Sequence, residues 1–280
     1  MRSRAFKGGV FKGLLFLSLF VGFLMLAVLL FDVFRDGLPY LDLTLLTNPP
    51  SSDPEIAGAR PAILATLYMG ALLLLLAVPI GVATAVYLEE YADKTKWYNR
   101  LLEINIQNLA AVPSIVYGIL GLAFLVRGIG LGRVLLAGAM ILTLLVLPTV
   151  IIAAREAIRS VPDSIRQGGY ALGATQWQVV SRQVLPAAIP GIATGSILAL
   201  SRAIGETAPL IMIGAVTYIS FDPTILGQFT ALPIQIYSFL RLPQEEFKLL
   251  AAASAIVLLA ILLTLNAFAI FIRNRYRRTW

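Results

Sequence analysis

The segment Leu200-Ser-Arg-Ala-Ile-Gly-Glu-Thr-Ala-Pro209 sets a guanidinium and a carboxylate four residues apart inside a long apolar stretch. That spacing puts Arg202 and Glu206 on one helical face, a turn from each other, where they can pair. At the centre of a membrane helix an Arg costs about 2.5–3.5 kcal/mol on insertion scales and a carboxylate is also penalised, so neither side chain is expected to face lipid. The pair either locks a helix in its bundle or lines a pathway. An ion pair in low dielectric is often no more stable than apolar residues of the same volume, so the pathway reading is favoured. A guanidinium fork suits the oxygens of phosphate or sulfate, and a neighbouring Glu can hold it in place or accept the proton of a protonated oxyanion. The second role would favour hydrogen phosphate over sulfate, because only the former brings a donor. Ser201 and Thr207 stand near this face as further hydroxyls, although Ser and Thr in membrane helices more often bond their own backbone.

Other chemistry is narrowed by composition. The chain has no cysteine and no histidine, which removes disulfides, thiolates and imidazole ligands or relays. No Gly-x-x-x-x-Gly-Lys-Ser/Thr occurs, so the chain is not expected to cradle ATP in that manner. An intramembrane enzyme would need catalytic groups that the sequence does not offer, and neither an enzyme nor a bound cofactor is expected. Gly128-Ile-Gly-Leu-Gly132 has no preceding strand and reads as a tight turn, while Gly191-x-x-x-Gly195 reads as a close helix-packing site.

The elements that position Arg202 follow from hydropathy. The 280 residues are 59% hydrophobic and 13% charged, with a mean hydropathy of +0.85, well outside the range of soluble domains. Six apolar runs are long enough to cross a bilayer: Val10–Phe34, Pro61–Leu88, Ile104–Val126, Val134–Ala154, Ala187–Tyr218 and Leu249–Ile272. The first is preceded by Arg2, Arg4, Lys7 and Lys12, but it is too long for a signal-peptide core and reads as a retained helix. The expectation is an all-α membrane protein, one membrane domain over residues 1–280. Phe229–Leu240 is too short to span and reads as re-entrant or interfacial. Pro79, Pro113, Pro148 and Pro209 lie inside spans, where each removes one backbone hydrogen bond.

Six spans place both termini on one side. With those termini inside, the inner segments hold fifteen Lys and Arg against six in the outer ones, and the remaining cation is Arg202. This asymmetry predicts cytoplasmic termini and explains the net charge of +7 without nucleic acid. Tyr87, Trp97, Tyr98 and Tyr276 at span ends fit an interfacial belt. The longest inner loop, 155–186, reads as two short helices. The first, Ala157–Ser160, closes at Val161-Pro162, and the second opens at Asp163-Ser164 and runs toward Val184 with glycine interruptions. Ala171, Leu172, Trp177, Val180 and Val184 would form its apolar stripe, bounded by Arg166, Gln176 and Arg182, as in a membrane-surface helix.

Gly173-Ala-Thr-Gln-Trp-Gln followed by Gln183-Val-Leu-Pro186 resembles the cytoplasmic coupling loop of binding-protein-dependent ABC importer permeases. Gln167-Gly168-Gly169 stands where that family has Glu-Ala-Ala, and Gln183 where Ile is usual. Arg202-Ala-Ile-Gly-Glu-Thr-Ala-Pro209, Ala231-Leu-Pro-Ile-Gln-Ile-Tyr237 and Gln244-Glu-Glu-Phe247 further resemble the A-type permease of high-affinity phosphate importers. The resemblance implies a heterodimer with a paralogous permease, two cytoplasmic ATP-binding subunits that use ATP and Mg, and an extracytoplasmic phosphate-binding protein. It places the chain in a prokaryotic inner membrane and implies ATPase coupling through Gly169, Ala171, Gly173, Ala174, Trp177, Leu185 and Pro186. Arg202 and Glu206 fall on its intramembrane charged positions. The function expected is phosphate import by alternating access. Permeation of sulfate, molybdate or tungstate, or a passive anion channel, are the alternatives, since Arg alone does not distinguish oxyanions.

Overall fold

The computed structural model describes residues 2–275, all of whose regular elements are helical. Tyr276, expected in the interfacial belt, lies outside the described residues, whereas Tyr87, Trp97 and Tyr98 are exposed. The chain forms α1 (Arg2–Gly37), α2 (Leu43–Thr47), α3 (Arg60–Val86), α4 (Trp97–Ala110), α5 (Ser114–Gly121), α6 (Leu135–Arg159), α7 (Asp163–Ala171), α8 (Gln176–Val179), α9 (Leu185–Ile204), α10 (Ala208–Met212), α11 (Leu232–Leu240) and α12 (Glu245–Arg275). Single π-helical segments extend α3 over Tyr87–Tyr91 and α5 over Leu122–Gly128, and join α8 to α9 over Val180–Val184.

Five of these helical stretches are long and apolar enough to cross a bilayer, and the bent pair α4–α5 makes a sixth if it is counted as one span. Two expected spans differ from the structure. Ile104–Val126 is not one helix: α4 and α5 meet at 104°. Pro113 supplies no N–H, and its ring drives Val112 out of the helical region, so the break falls before it. The Tyr117 hydroxyl braces the bend by donating to the Leu109 carbonyl at 2.9 Å. The span expected at Ala187–Tyr218 instead begins at Gln176 and ends at Ile204, because Pro209 in a continued helix would clash with the Gly205 carbonyl. Pro209 opens α10 instead.

Lipid is as apolar as leucine, so apolarity alone does not hold membrane helices together, and close packing must. The centre is α3, α6 and α9, with α6 in the middle. Gly191 and Gly195 present bare backbone to α6: a Cβ on Gly191 would lie 2.6 Å from that of Ala157, and one on Gly195 would meet Ala153. Gly81 of α3 lies similarly against Val150 on α6. The expected small-residue packing site is therefore present, and so is the expected turn, with Gly130 and Gly132 at φ of 77° and 81°. The segment Leu232–Leu240 is a buried helix packed on α3 and α12. Its first amide, Leu232, donates to the Thr66 hydroxyl at 2.9 Å, and Phe239 stacks on Phe247.

Gly195→Ala is expected to destabilise the purified protein by about 1–3 kcal/mol through overpacking, and Ala153→Gly in the same chain to restore most of the loss. Thermal unfolding in detergent measures both. An unaffected single variant would mean that α6 and α9 are further apart than described.

Candidate functional site

Arg202 sits in the last turn of α9, not at the middle of a span, because Gly205 caps the helix there. Its side chain is 58% exposed and its Nε lies 3.7 Å from Glu206 Oε1, a loose contact that leaves most of the guanidinium's donors free for another acceptor. Ser201 turns the other way: its hydroxyl donates to Asn266 Oδ1 on α12 at 2.7 Å. Thr207 lies between the two helices and makes no side-chain cap to α10. The structure thus brings Arg202 and Glu206 together, and gives Ser201 a bracing role. Leu198, Arg202 and Gly205 lie along one exposed edge of α9 that this chain does not cover.

The two interrupted helical paths meet here. Gly118 of α5 approaches the backbone of Pro209 so closely that a Cβ would come within 2.7 Å of its Cα. Broken helices leave backbone groups unpaired, and at membrane depth these persist only where protein or a water-filled cavity meets them.

At the opposite end of α9, the loop differs from its expected form. Ala157–Ser160 is no separate helix: Ala157 to Arg159 complete α6. The helix expected from Asp163 toward Val184 breaks at Gly173, whose φ of 78° suits the left-handed turn that ends α7. Asp163 lies in the first turn, and Pro162 occupies the cap position. A capping box between Thr175 and Gln178 then opens α8. The expected single apolar stripe is split by this turn. Val180 and Val184 are buried, with Gly169 against Val179. Leu172 at 87% and Trp177 at 63% exposure face outward with Ala171. Ala174 and Leu185 pack against the buried valines, and Pro186 follows the π-helical turn inside the continuous path from Gln176 to Ile204, where its ring removes one backbone hydrogen bond.

A second cluster has no counterpart in the sequence reading. Glu89 and Glu90, in the π-helical turn that ends α3, are 4% and 6% exposed. Glu89 Oε1 accepts from Arg155 Nε at 2.9 Å and Arg159 Nη2 at 2.7 Å, and Oε2 accepts from Lys94 at 3.0 Å. Arg155 also donates to Glu103 of α4 at 2.8 Å. Glu90 takes Arg166 of α7 through Nε at 3.1 Å and Nη2 at 2.8 Å. The same guanidinium donates to the Ile158 and Val161 carbonyls at 3.0 and 2.7 Å, closing the end of α6. Hydrogen bonds donated to Glu90 push the Arg166 guanidinium above its ordinary pKa against the opposing effect of burial. Gln176 donates to the Glu90 carbonyl. The loop is therefore pinned to α3 and α6 together by buried charge. In the sequence these cations look like ordinary flanking charges, and only the pairing of Glu89 and Glu90 at the end of an apolar run hinted at more.

The family model for binding-protein-dependent transport system inner membrane components matches residues 77–278. A Mycobacterium tuberculosis protein named phosphate transport system permease protein PstA 1 is 37% identical over 217 residues, covering 77% of this chain and 70% of the relative. The Pasteurella multocida phosphate transport system permease protein PstA is 32% identical over 270 residues, covering 95% and 94%. Among solved structures, the inward-facing MetNI methionine ABC transporter superposes with a TM-score of 0.62 at 18% identity, covering 78% of this chain and 94% of that one. A bacterial ABC transporter that imports alginate gives 0.58 at 21% identity, covering 81% and 82%. At these identities the two structures establish the fold alone.

Replacing one member of a buried pair strands the other, so Glu90→Gln and Arg166→Met should each lower thermal stability, while the double variant recovers part of the loss. A double-mutant cycle by thermal unfolding is expected to give a coupling energy of about 1–3 kcal/mol. A coupling near zero would mean that α7 is not held by this pair.

Proposed function

The chain belongs to the family of binding-protein-dependent transport system inner membrane components, and on that premise we propose that it is the permease subunit of an ATP-driven importer for inorganic phosphate. The names and coverage of its relatives support the cargo. The observation that carries the pathway is Arg202, a guanidinium at the interrupted end of α9, loosely held by Glu206 and largely uncovered by its own chain. A fork of donors at a broken helix end receives an oxyanion without stripping donors from a rigid pair, and a weak hold favours release.

The chain supplies half of the pathway, and a paralogous permease supplies the other half across the exposed edge of α9. Fifteen of its cations lie on the side of the termini under this topology, which puts the 160–175 loop in the cytoplasm of a prokaryotic cell and the multi-pass bundle in its inner membrane. Leu172 and Trp177 offer an apolar knob pair to one of two ATP-binding subunits, which use ATP and Mg. A passive channel would have no use for such a surface. An extracytoplasmic phosphate-binding protein delivers the anion at the other face. Closure of the ATP-binding subunits moves α7, the Glu90–Arg166 pair transfers that movement to α3 and α6, and the bundle alternates between outward and inward access.

ATP-dependent uptake of labelled phosphate into proteoliposomes holding the whole complex tests the proposal. Arg202→Gln is expected to cut uptake by at least about tenfold with assembly intact, and Arg202→Lys to restore little, because an ammonium lacks the planar fork. Normal uptake by Arg202→Gln would make the pair structural. Glu206→Gln is expected to narrow phosphate-over-sulfate discrimination, read with sulfate as competitor, and unchanged discrimination would remove Glu206 from recognition.

A further inference from the structure

Beside the buried carboxylates, a cavity of about 320 Å³ opens between the end of α3, the start of α4 and the end of α6. Lys94, Arg100, Arg155 and Arg159 line it, with Glu103 the only acidic residue in its wall. Glu89, which lies behind these side chains, takes three of the four cations, and Glu103 takes Arg155 a second time. Glu156 reaches Arg159 at 3.3 Å from an exposed position away from the lining. Arg100 makes no ion pair or side-chain hydrogen bond among the described residues, although it lines the cavity and its side chain is exposed. Asn99, 5% exposed in the wall, donates to the Asp93 carbonyl at 2.9 Å and leaves its Oδ1 without a donor.

The surroundings are those of a bilayer interface. Trp97 and Tyr98 meet edge to face at 6.2 Å and are exposed at the start of α4, as aromatic side chains are at headgroup level. Leu101 and Leu102 continue the exposed surface along α4. Concentrated positive charge in a hollow between membrane helices, bordered by aromatics and an apolar helix face, is the arrangement that receives anionic headgroups.

We infer that this cavity binds a phosphate-bearing anion, contacted by Lys94, Arg100 and Arg159. The chemistry fits a glycerophosphate headgroup in the adjoining leaflet or free inorganic phosphate. The site is separate from Arg202 at the far end of α9 and does not depend on which anion the chain transports. An occupant would neutralise the surplus cations around Glu89 and so stiffen the junction of α3, α4 and α6.

The assembled transporter, reconstituted in nanodiscs of phosphatidylcholine with or without phosphatidylglycerol, tests this by native mass spectrometry of the lipid each complex retains. Wild type is expected to keep phosphatidylglycerol in preference to phosphatidylcholine. Arg100→Gln should weaken that retention roughly fivefold and Arg100→Glu more, since each surface cation contributes a similar increment. Arg100 has no side-chain partner among the described residues, so neither variant strips a fold contact there, and an unchanged thermal midpoint in phosphatidylcholine alone checks this. Displacement of the lipid by inorganic phosphate, but not by chloride, assigns the site to the free anion, whereas resistance to phosphate assigns it to the headgroup. Equal retention by wild type and Arg100→Glu, together with no stabilisation of wild type by inorganic phosphate, overturns the inference.

Discussion

Two adjacent carboxylates that are almost wholly buried at the end of α3 cannot keep their charge unless cations are brought to them from elsewhere in the chain. Glu89 and Glu90 draw in Arg155 and Arg159 from α6, Lys94 from the following turn and Arg166 from α7. Together with the buried valine cluster they hold this end of the molecule. The end of α3 is fixed against the end of α6, α4 is tied in through Glu103, and α7 cannot swing free without exposing an unpaired charge to an apolar wall.

The far end of the bundle follows the opposite logic. There α9 stops early, the Arg202–Glu206 pair is loose, and the guanidinium is left available. Between the two ends, α8, its π-helical turn and α9 form one helical path from Gln176 to Ile204. Trp177 and Arg202 are therefore separated by about 40 Å of helix. The exposed Trp177 and the exposed Arg202 stand on the same rod, so a displacement of one end has a direct route to the other.

Much of this was legible in the sequence. Runs of apolar residues located the membrane helices, and the four-residue spacing of Arg202 and Glu206 identified a pair that the fold does bring together. Gly191 and Gly195 announced a close approach that α6 accepts. What the sequence concealed was of two kinds. Apolar runs do not show where a helix stops, so Pro113 and Pro209 read as lying inside spans when the unsatisfied carbonyl and the restricted preceding residue made them breaks. Pairings such as Glu90 with Arg166, 76 residues apart, leave no local pattern: each residue alone looks like ordinary charge at the edge of a span. The split of Leu172 and Trp177 from Val180 and Val184 was hidden for a related reason, since a single left-handed glycine at 173 reassigns the faces of everything after it.

The position of α1 carries a different lesson. It lies along α12, fitted closely where Gly37 meets the backbone of Ala252 and Ala253, and none of the three buried clusters draws a residue from it. Its apolar residues from Phe11 to Leu29 are exposed, and Leu30 and Val33 are half-buried. Along most of this helix each position therefore meets a demand for apolarity and length within this chain, with shape complementarity required at its last turn, whereas in α6 nearly every apolar position is also a fitted one.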